Sequence, residues 1–398
     1  MSVPQLRFKD GDGQDFPEWE DTNLESCGTF FRGGSLSKSD IDTKGQFSCV
    51  HYGELFTTYH EIITTVKSKT NITNTINSEY GDILMPSSDV TPAGLAKASC
   101  LLQAGVVLGG DINVIRLKKN LAPIFISYLL NFEKNKIIQL VSGTTVKHIY
   151  IKDIKSIELS IPTEIAEQTK IANFLTAVDE KITQLSQKHD LLTQYKKGVM
   201  QQIFSQELRF KDDDGEDFPE WEEHLLGNVA TLFNGRAYKQ TEWEDTGTPV
   251  IRLQNLTGSG DTYYYSNIKL PANQYCNTGD LLYMWSATFG PVWWQGEKAI
   301  YHYHIWKIDT DNNNLSKNYL FYVLDDITAK MKRTSNGSTM AHITKGGMEK
   351  LALTLPSVVE QTKIANFLTA IDDKITNTQE QLKALKQYKS GLLQQMFV

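Results

Sequence analysis

Apolar residues fall at Ile171, Leu175, Val178, Ile182, Leu185, Leu192, Val199 and Ile203 in one stretch of the chain. In another they fall at Ile364, Leu368, Ile371, Ile375, Leu382, Leu385, Leu392 and Met396. Steps of three and four summing to heptads predict two long helices, each with one apolar stripe. His189 and Lys196 interrupt the first stripe, Thr378 and Lys389 the second. No proline falls inside either stretch, and Pro162 and Pro356 stand just ahead, where a helix can begin but not extend backwards. About 38 residues at 1.5 Å each make a rod of roughly 57 Å. A stripe kept near 3.5 residues over so many turns suits a long partner helix, so antiparallel pairing is expected, with one globular domain at each end. The alternative is that each helix packs only on its own domain.

The same stretches are repeated almost letter for letter. EQTKIANFLTA occupies 167–177 and returns unaltered at 360–370, and LTQYKKGVMQQIF (192–204) pairs with LKQYKSGLLQQMF (385–397). LRFKDGDGQDFPEWE (6–20) pairs with LRFKDDDGEDFPEWE (208–222), and TFFRGG (29–34) with TLFNGR (231–236). YGDIL (80–84) faces TGDLL (278–282), and GTTVKHI (143–149) faces GSTMAHI (337–343). The offset between copies falls from 202 to 193 along the chain and never rises, as expected of colinear copies whose second member has lost loop residues. Likeness is concentrated at the ends, while the interiors 24–160 and 224–355 keep only scattered anchors. One LRFKD…EWE segment follows the first helix and the other opens the chain, so the repeat is circular and the two termini should lie close together.

Each interior mixes strand-like runs with a short helix. FSCVHYGELF, EIITTV, GDILM and GVVLGGDINVIRL read as strands in the first, and GTPVIRLQNL, GDLLYMW and KAIYHYHIWKI in the second; helices are predicted near 123–140 and 317–332. The fold class is α/β (α+β), two similar globular domains and two long helices in a pseudo-two-fold, circular arrangement. The boundaries are 1–163 (junction 1–23), helix 164–206, 207–356 (junction 207–223) and helix 357–398.

A search for catalysis fails. No phosphate-binding G-x-x-x-x-G-K-[ST], H-E-x-x-H or G-x-S-x-G is present, and no amino-methyltransferase loop or nuclease cluster can be placed. His148 and His342 match but lack a nucleophile in both copies. Cys27, Cys49, Cys100 and Cys276 show no ligand spacing and read as reduced thiols. No apolar run approaches a membrane span and the start has no signal-like segment, so a cytoplasmic protein without membrane contact is expected.

Binding chemistry is better represented. The net charge of −7 seems to disfavour nucleic acid, but segments 6–21 and 208–223 alone contribute −10 and leave the remainder at +3. Thr144, Thr145, Lys147 and His148, with Ser338, Thr339 and His342 in the second copy, combine hydroxyls, an amine and imidazoles before an apolar strand, a set suited to phosphate; a loop whose threonine caps a turn reads equally well. Arg32, Gly33 and Ser35, and Arg236, Arg252, Gln254 and Asn255, sit in polar turns and include the side chains able to read purine edges. The rings of the run YMWSATFGPVWWQGEKAIYHYHIW are expected to be mainly core or a sugar-like platform, the alternative being that they touch nucleic acid.

Taken together, the PEWE segments, the GDIL and GDLL turns, the G-[TS]-T-x-x-H-I loops and the E-Q-x-x-I-A-x-F-L helix starts followed by LxQYKxGxxQQ(I/M)F give a chain that resembles the specificity subunit (HsdS) of type I restriction–modification systems over essentially its whole length. The resemblance implies two target recognition domains, each reading half of a split DNA sequence, and helical spacers that dock methyltransferase subunits. Gln168, Lys170, Asn173 and Phe174, with Gln361, Lys363, Asn366 and Phe367, are the implied docking candidates. It further implies a non-catalytic DNA-binding subunit partnered by double-stranded DNA, two methyltransferase subunits and restriction/translocase subunits. No cofactor is expected in this chain; S-adenosylmethionine, ATP and Mg would belong to the partners. The alternative is a bivalent coiled-coil adaptor for two protein or carbohydrate ligands.

Overall fold

The computed structural model describes residues 4–73, 76–286, 288–334 and 343–397. The chain divides into two compact units, Met1–Ser186 with Glu380–Val398, and Gln187–Gln379. Each unit therefore holds one interior and half of each long helix. The two helices run Ile165–Phe204 and Val358–Met396.

In the first unit a five-stranded sheet has the order Gly28–Arg32, Ile112–Leu117, Asp82–Pro86, Ser99–Leu101, Ile62–Ile63. Its pairings are antiparallel except the last. A smaller sheet joins Ser68–Thr70, Phe47–Val50 and Val107–Leu108. The second unit has two four-stranded sheets, one of Ala230–Asn234, Ile305–Thr310, Leu281–Ser286 and Thr288–Trp293, the other of Tyr264–Ser266, Thr248–Ile251, Ala299–Tyr301 and Tyr275–Cys276. Helices at Pro123–Phe132 and Lys317–Thr334 back the main sheets. The first was predicted to run on to 140; instead it breaks at Glu133 before a short helix, Lys134–Gln139. Two runs expected as strands turn helical half-way, at Glu54–Thr57 and Leu253–Thr257. In both, a side-chain oxygen three residues on takes the first N–H past the strand: Glu54 Oε2 from His51 and Asn255 Oδ1 from Arg252, each at 2.9 Å.

The junctions are built in. Trp19–Asn23 pairs antiparallel with Glu158–Pro162, the strand just before the first long helix, and Glu222–Leu225 pairs likewise with Ala352–Leu355 before the second. The Leu6 N–H donates to the Gln395 carbonyl at 2.9 Å, matching Leu208 to Gln202 at 3.0 Å, so the expected closeness of the chain's two ends is met.

The apolar stripes are buried in both units. In the first, Ile171, Leu175 and Val178 share one core with Leu392, Met396 and Phe397 and with Phe125, Tyr128 and Leu129 of the interior. In the second, Val199 and Ile203 meet Ile364, Leu368 and Ile371 and the interior's Tyr319 and Leu320. Helix-on-helix and helix-on-domain packing therefore coexist. The polar interruptions are partnered. Lys389 Nζ lies 2.7 Å from Asp179 and 3.1 Å from Glu61, with the Tyr128 hydroxyl donating to Asp179 at 2.6 Å. In the second unit Lys196 lies 2.7 Å from Asp372, to which the Tyr322 hydroxyl donates at 2.9 Å. Each ammonium also sits over its tyrosine ring, at 5.4 and 5.2 Å. Such a charge among apolar turns penalises any slipped register, because slippage would strand it unpaired.

Among the described residues no helix is long and apolar enough to cross a membrane, and no His/Cys/Asp/Glu cluster is able to hold a metal ion. The four cysteines are free and buried.

Burial alone would lift the Glu61 carboxyl, but the Lys389 charge and hydrogen bond outweigh it and hold Glu61 below its ordinary value. A depressed carboxyl contributes stability above its unfolded pKa and loses it as pH falls through the folded one. Lys389→Met should therefore lower stability by about 2–3 kcal/mol in urea unfolding at pH 7. The deficit should shrink in acid below the usual carboxylate range. Equal stability at pH 7 would contradict the role given to this ammonium.

Candidate nucleic-acid interface

The end of strand Gly28–Arg32 runs so close to the turn at Gly109 that a Cβ on Gly33 would lie 2.0 Å from the Gly109 carbonyl oxygen. That approach explains Gly33 as a requirement of backbone packing, and its backbone lines one of the cavities beside Arg32. The same approach delivers Arg32 to the surface. Its Nη2 donates to Ser87 Oγ at 2.8 Å and Asp111 Oδ1 at 3.0 Å, while the side chain stays 52 % exposed. An exposed guanidinium tethered on one nitrogen is aimed without being consumed.

Two cavities share this arginine. One, of about 300 Å³, is lined by Arg32, Ser87, Asn113, His148, Tyr150 and Lys152 among others; the other, of about 660 Å³, by Arg32, Ser35, Lys38, His51 and Tyr52 among others. Two stretches 116 residues apart in sequence, at Arg32 and His148, thus meet on one surface. The threonine loop is a tight hairpin: Ser142 and His148 exchange backbone bonds of 3.0 and 2.8 Å, and Gly143 takes φ +105°. Thr144 and Thr145 are exposed at its tip. Lys147 Nζ donates to the Gly143 carbonyl at 2.7 Å, and the His148 ring stacks with Tyr150 at 6.1 Å. His51 Nδ1 accepts the Gly53 N–H at 3.2 Å, and burial pushes its pKa down, which favours a neutral ring carrying its proton on Nε2.

In the second unit Arg236 donates through both terminal nitrogens to the Glu242 carboxylate and lies over Tyr238 at 5.2 Å. That hydrogen bond raises its pKa and lowers that of Glu242. Arg252 lies over Tyr264 at 5.0 Å. Gln254 makes one long bond, 3.5 Å, to the Thr262 carbonyl. Asn255 was expected as a base reader; its oxygen takes the Arg252 N–H and its amide donates to the Gly260 and Thr262 carbonyls at 3.2 and 3.0 Å, so it is spent on the turn. Ser338, Thr339 and His342 lie outside the described residues. The aromatic run is largely core, with Tyr283, Tyr301 and Trp306 at 2 % exposure or less. Its Tyr303 reaches the surface at 39 %.

Ser87 and Asp111 escaped the sequence reading, and the His302-Tyr303-His304 turn was seen only as part of the aromatic run. Asp111 is 79 residues from Arg32, and the glycine pair before it, inside a run read as one strand, was the only signal.

The helix starts are occupied by the chain itself. Glu167 and Glu360, with no side-chain exposure, pair with Arg7 and Arg209 of the junctions at 2.8 and 3.0 Å. Lys170 and Lys363 donate to the Lys9 and Lys211 carbonyls at 2.6 and 2.9 Å. Phe174 and Phe367 meet Phe8 and Phe210 edge-on at 5.6 and 5.5 Å. The docking expectation is corrected for Gln168 and Gln361, which are buried. Gln168 accepts the Ala122 N–H at 2.8 Å and donates to the Pro162 carbonyl at 2.9 Å; Gln361 bonds Ser316, Asn314 and Pro356 in the same way. Asn173 and Asn366 are exposed.

A family model described as the type I restriction modification DNA specificity domain matches the chain twice, at residues 17–194 and 219–387. The chain is 26% identical to a putative type I restriction enzyme specificity subunit of Methanocaldococcus jannaschii, over 72% of this chain and 70% of that one. It is 23% identical to the type I restriction enzyme EcoBI specificity subunit of Escherichia coli, over 42% and 35%. In fold it is similar to the crystal structure of a type I restriction–modification S subunit from M. genitalium, with TM-score 0.66 at 15% identity, covering 100% of this chain and 99% of that one.

Gln168→Ala would leave a buried N–H and a buried carbonyl without partners, and should cost about 2–3 kcal/mol in thermal or urea unfolding. A variant as stable as its parent would show that the side chain anchors nothing.

Proposed function

The chain belongs to the type I restriction–modification DNA specificity family, and from that premise we propose that its two interiors read the two unlike halves of a split duplex DNA target. The observation that carries this reading is the doubled family match laid over two copies of one frame whose exposed side chains differ. Arg32 and His148 line one cavity of the first unit, and the hairpin that ends at His148 carries Lys147 and the exposed Thr144 and Thr145; together they supply the cations and hydroxyls that phosphate and base edges require. Arg236 and Arg252 supply the cations of the second.

The chain works with the other restriction–modification subunits and with DNA. In the finer form proposed here, two methyltransferase subunits dock on it, and restriction/translocase subunits reach the site through them. Asn173 and Asn366, identical and exposed in the two copies, are the surfaces offered to identical partners. The chain itself contributes recognition and no active site. S-adenosylmethionine, ATP and Mg are held by the partners, and the complex operates in the cytoplasm, where the DNA is.

Selection of bound duplexes from a random pool by the full chain tests this reading. It should enrich one two-part motif separated by a gap of unspecified bases. Retention of all sequences alike, with affinity for a protein or glycan instead, would favour the bivalent adaptor.

A further inference from the structure

One corner recurs in both interiors, held by the same bonds. The N–H groups of Gly33 and Gly235 reach the Ile112 and Ile305 carbonyls, both at 3.0 Å; those of Gly34 and Arg236 reach Leu108 and Tyr301 at 2.8 and 3.1 Å. Gly109 and His302 donate to Val50 and Ile251 at 3.0 and 2.9 Å, and Ile112 and Ile305 close the turns on Gly109 and His302 at 3.2 and 3.0 Å. Gly235 is excluded from carrying a side chain as Gly33 is, since its Cβ would lie 2.2 Å from the His302 carbonyl oxygen. The backbone therefore equates Gly109-Gly110-Asp111 with His302-Tyr303-His304, and Gly34 with Arg236.

On this shared backbone the side chains are opposite in kind. The first corner has no side chains at 34, 109 and 110, and is the open cavity of about 660 Å³ beside Arg32. The second is filled with rings: Tyr303 lies 4.6 Å from His302 and 3.8 Å from His304, and Trp285 packs edge-on against Tyr303 at 5.9 Å. Burial first, then the charges of His304 and Arg252, push His302 down to about 4, leaving a neutral ring at neutral pH. The fold asks only for the backbone bonds and the one glycine. Variation confined to the side chains around them is what readers of unlike bases need.

We propose that this corner is where each interior reads base identity. Arg32, aimed by Asp111 and Ser87, meets the acceptor edge of a guanine in the first half-site, and the His302-Tyr303-His304 turn reads the second. Arg32 touches the base; Asp111 is a positioning residue. The inference rests on the DNA-reading function proposed above.

The test measures Kd of the full chain for its selected duplex and for single-base variants, at two salt concentrations. Arg32→Ala should lose roughly ten- to a hundredfold of discrimination at one position of one half-site and leave the other half unchanged. Arg32→Lys should keep the salt dependence and still lose that discrimination. Asp111→Asn should weaken discrimination at the same position. Tyr303→Ala should alter only the other half-site. The exposed positions of Arg32 and Tyr303 favour folded variants, and unchanged thermal unfolding verifies it. If Arg32→Ala weakens all duplexes equally and lowers the salt slope by about one, Arg32 contacts phosphate and the corner assignment is overturned. If both half-sites survive Arg32→Ala and Tyr303→Ala, the corner fails while the DNA-reading function stands. If the parent selects no motif, that function fails and the corner with it.

Discussion

A carboxylate with no exposure is tolerated only when a cation meets it, and Glu167 and Glu360 occupy that position at the start of each long helix. Their cations, Arg7 and Arg209, come from the junctions. These pairs fasten the junction to the helix start, and the neighbouring Lys170 and Phe174, with Lys363 and Phe367, complete the seat. The rest of each unit is hung on that attachment: the junction strand pairs with the strand before the helix, and the helix stripe enters the domain core.

This attachment explains why the ends of the two copies are alike. A junction and a helix start that bury one another constrain each other's sequences, whereas an interior need only present the same edge to them. The two units keep the same bonds at their corners while exchanging Gly-Gly-Asp for His-Tyr-His. Identity marks the surfaces that fit within the chain and the exposed asparagines beside them. Difference marks the surfaces of the interiors.

The long helices were fully legible, because a stripe at helical spacing uninterrupted by proline has one physical reading. The residues that broke the stripe gave less away: Lys196 and Lys389 looked like flaws, and their partners Asp372, Asp179 and Glu61 could only be paired in three dimensions. Strand runs that stop at Val50 and Ile251 were over-extended, since a cap from Glu54 or Asn255 outweighs β propensity locally. Of the candidate site, Arg32 and His148 were found as types but not as neighbours. Gln168 and Gln361 misled because repetition cannot distinguish a partner's surface from an internal seat.

The account stands or falls on whether specificity resides in the interiors and assembly in the repeated frame. The most direct measurement replaces residues 224–355 with a second copy of 24–160 and selects duplexes from a random pool with the resulting chain. A motif built from two copies of the same half is predicted. An enriched motif that keeps two unlike halves, as in the parent, would contradict it.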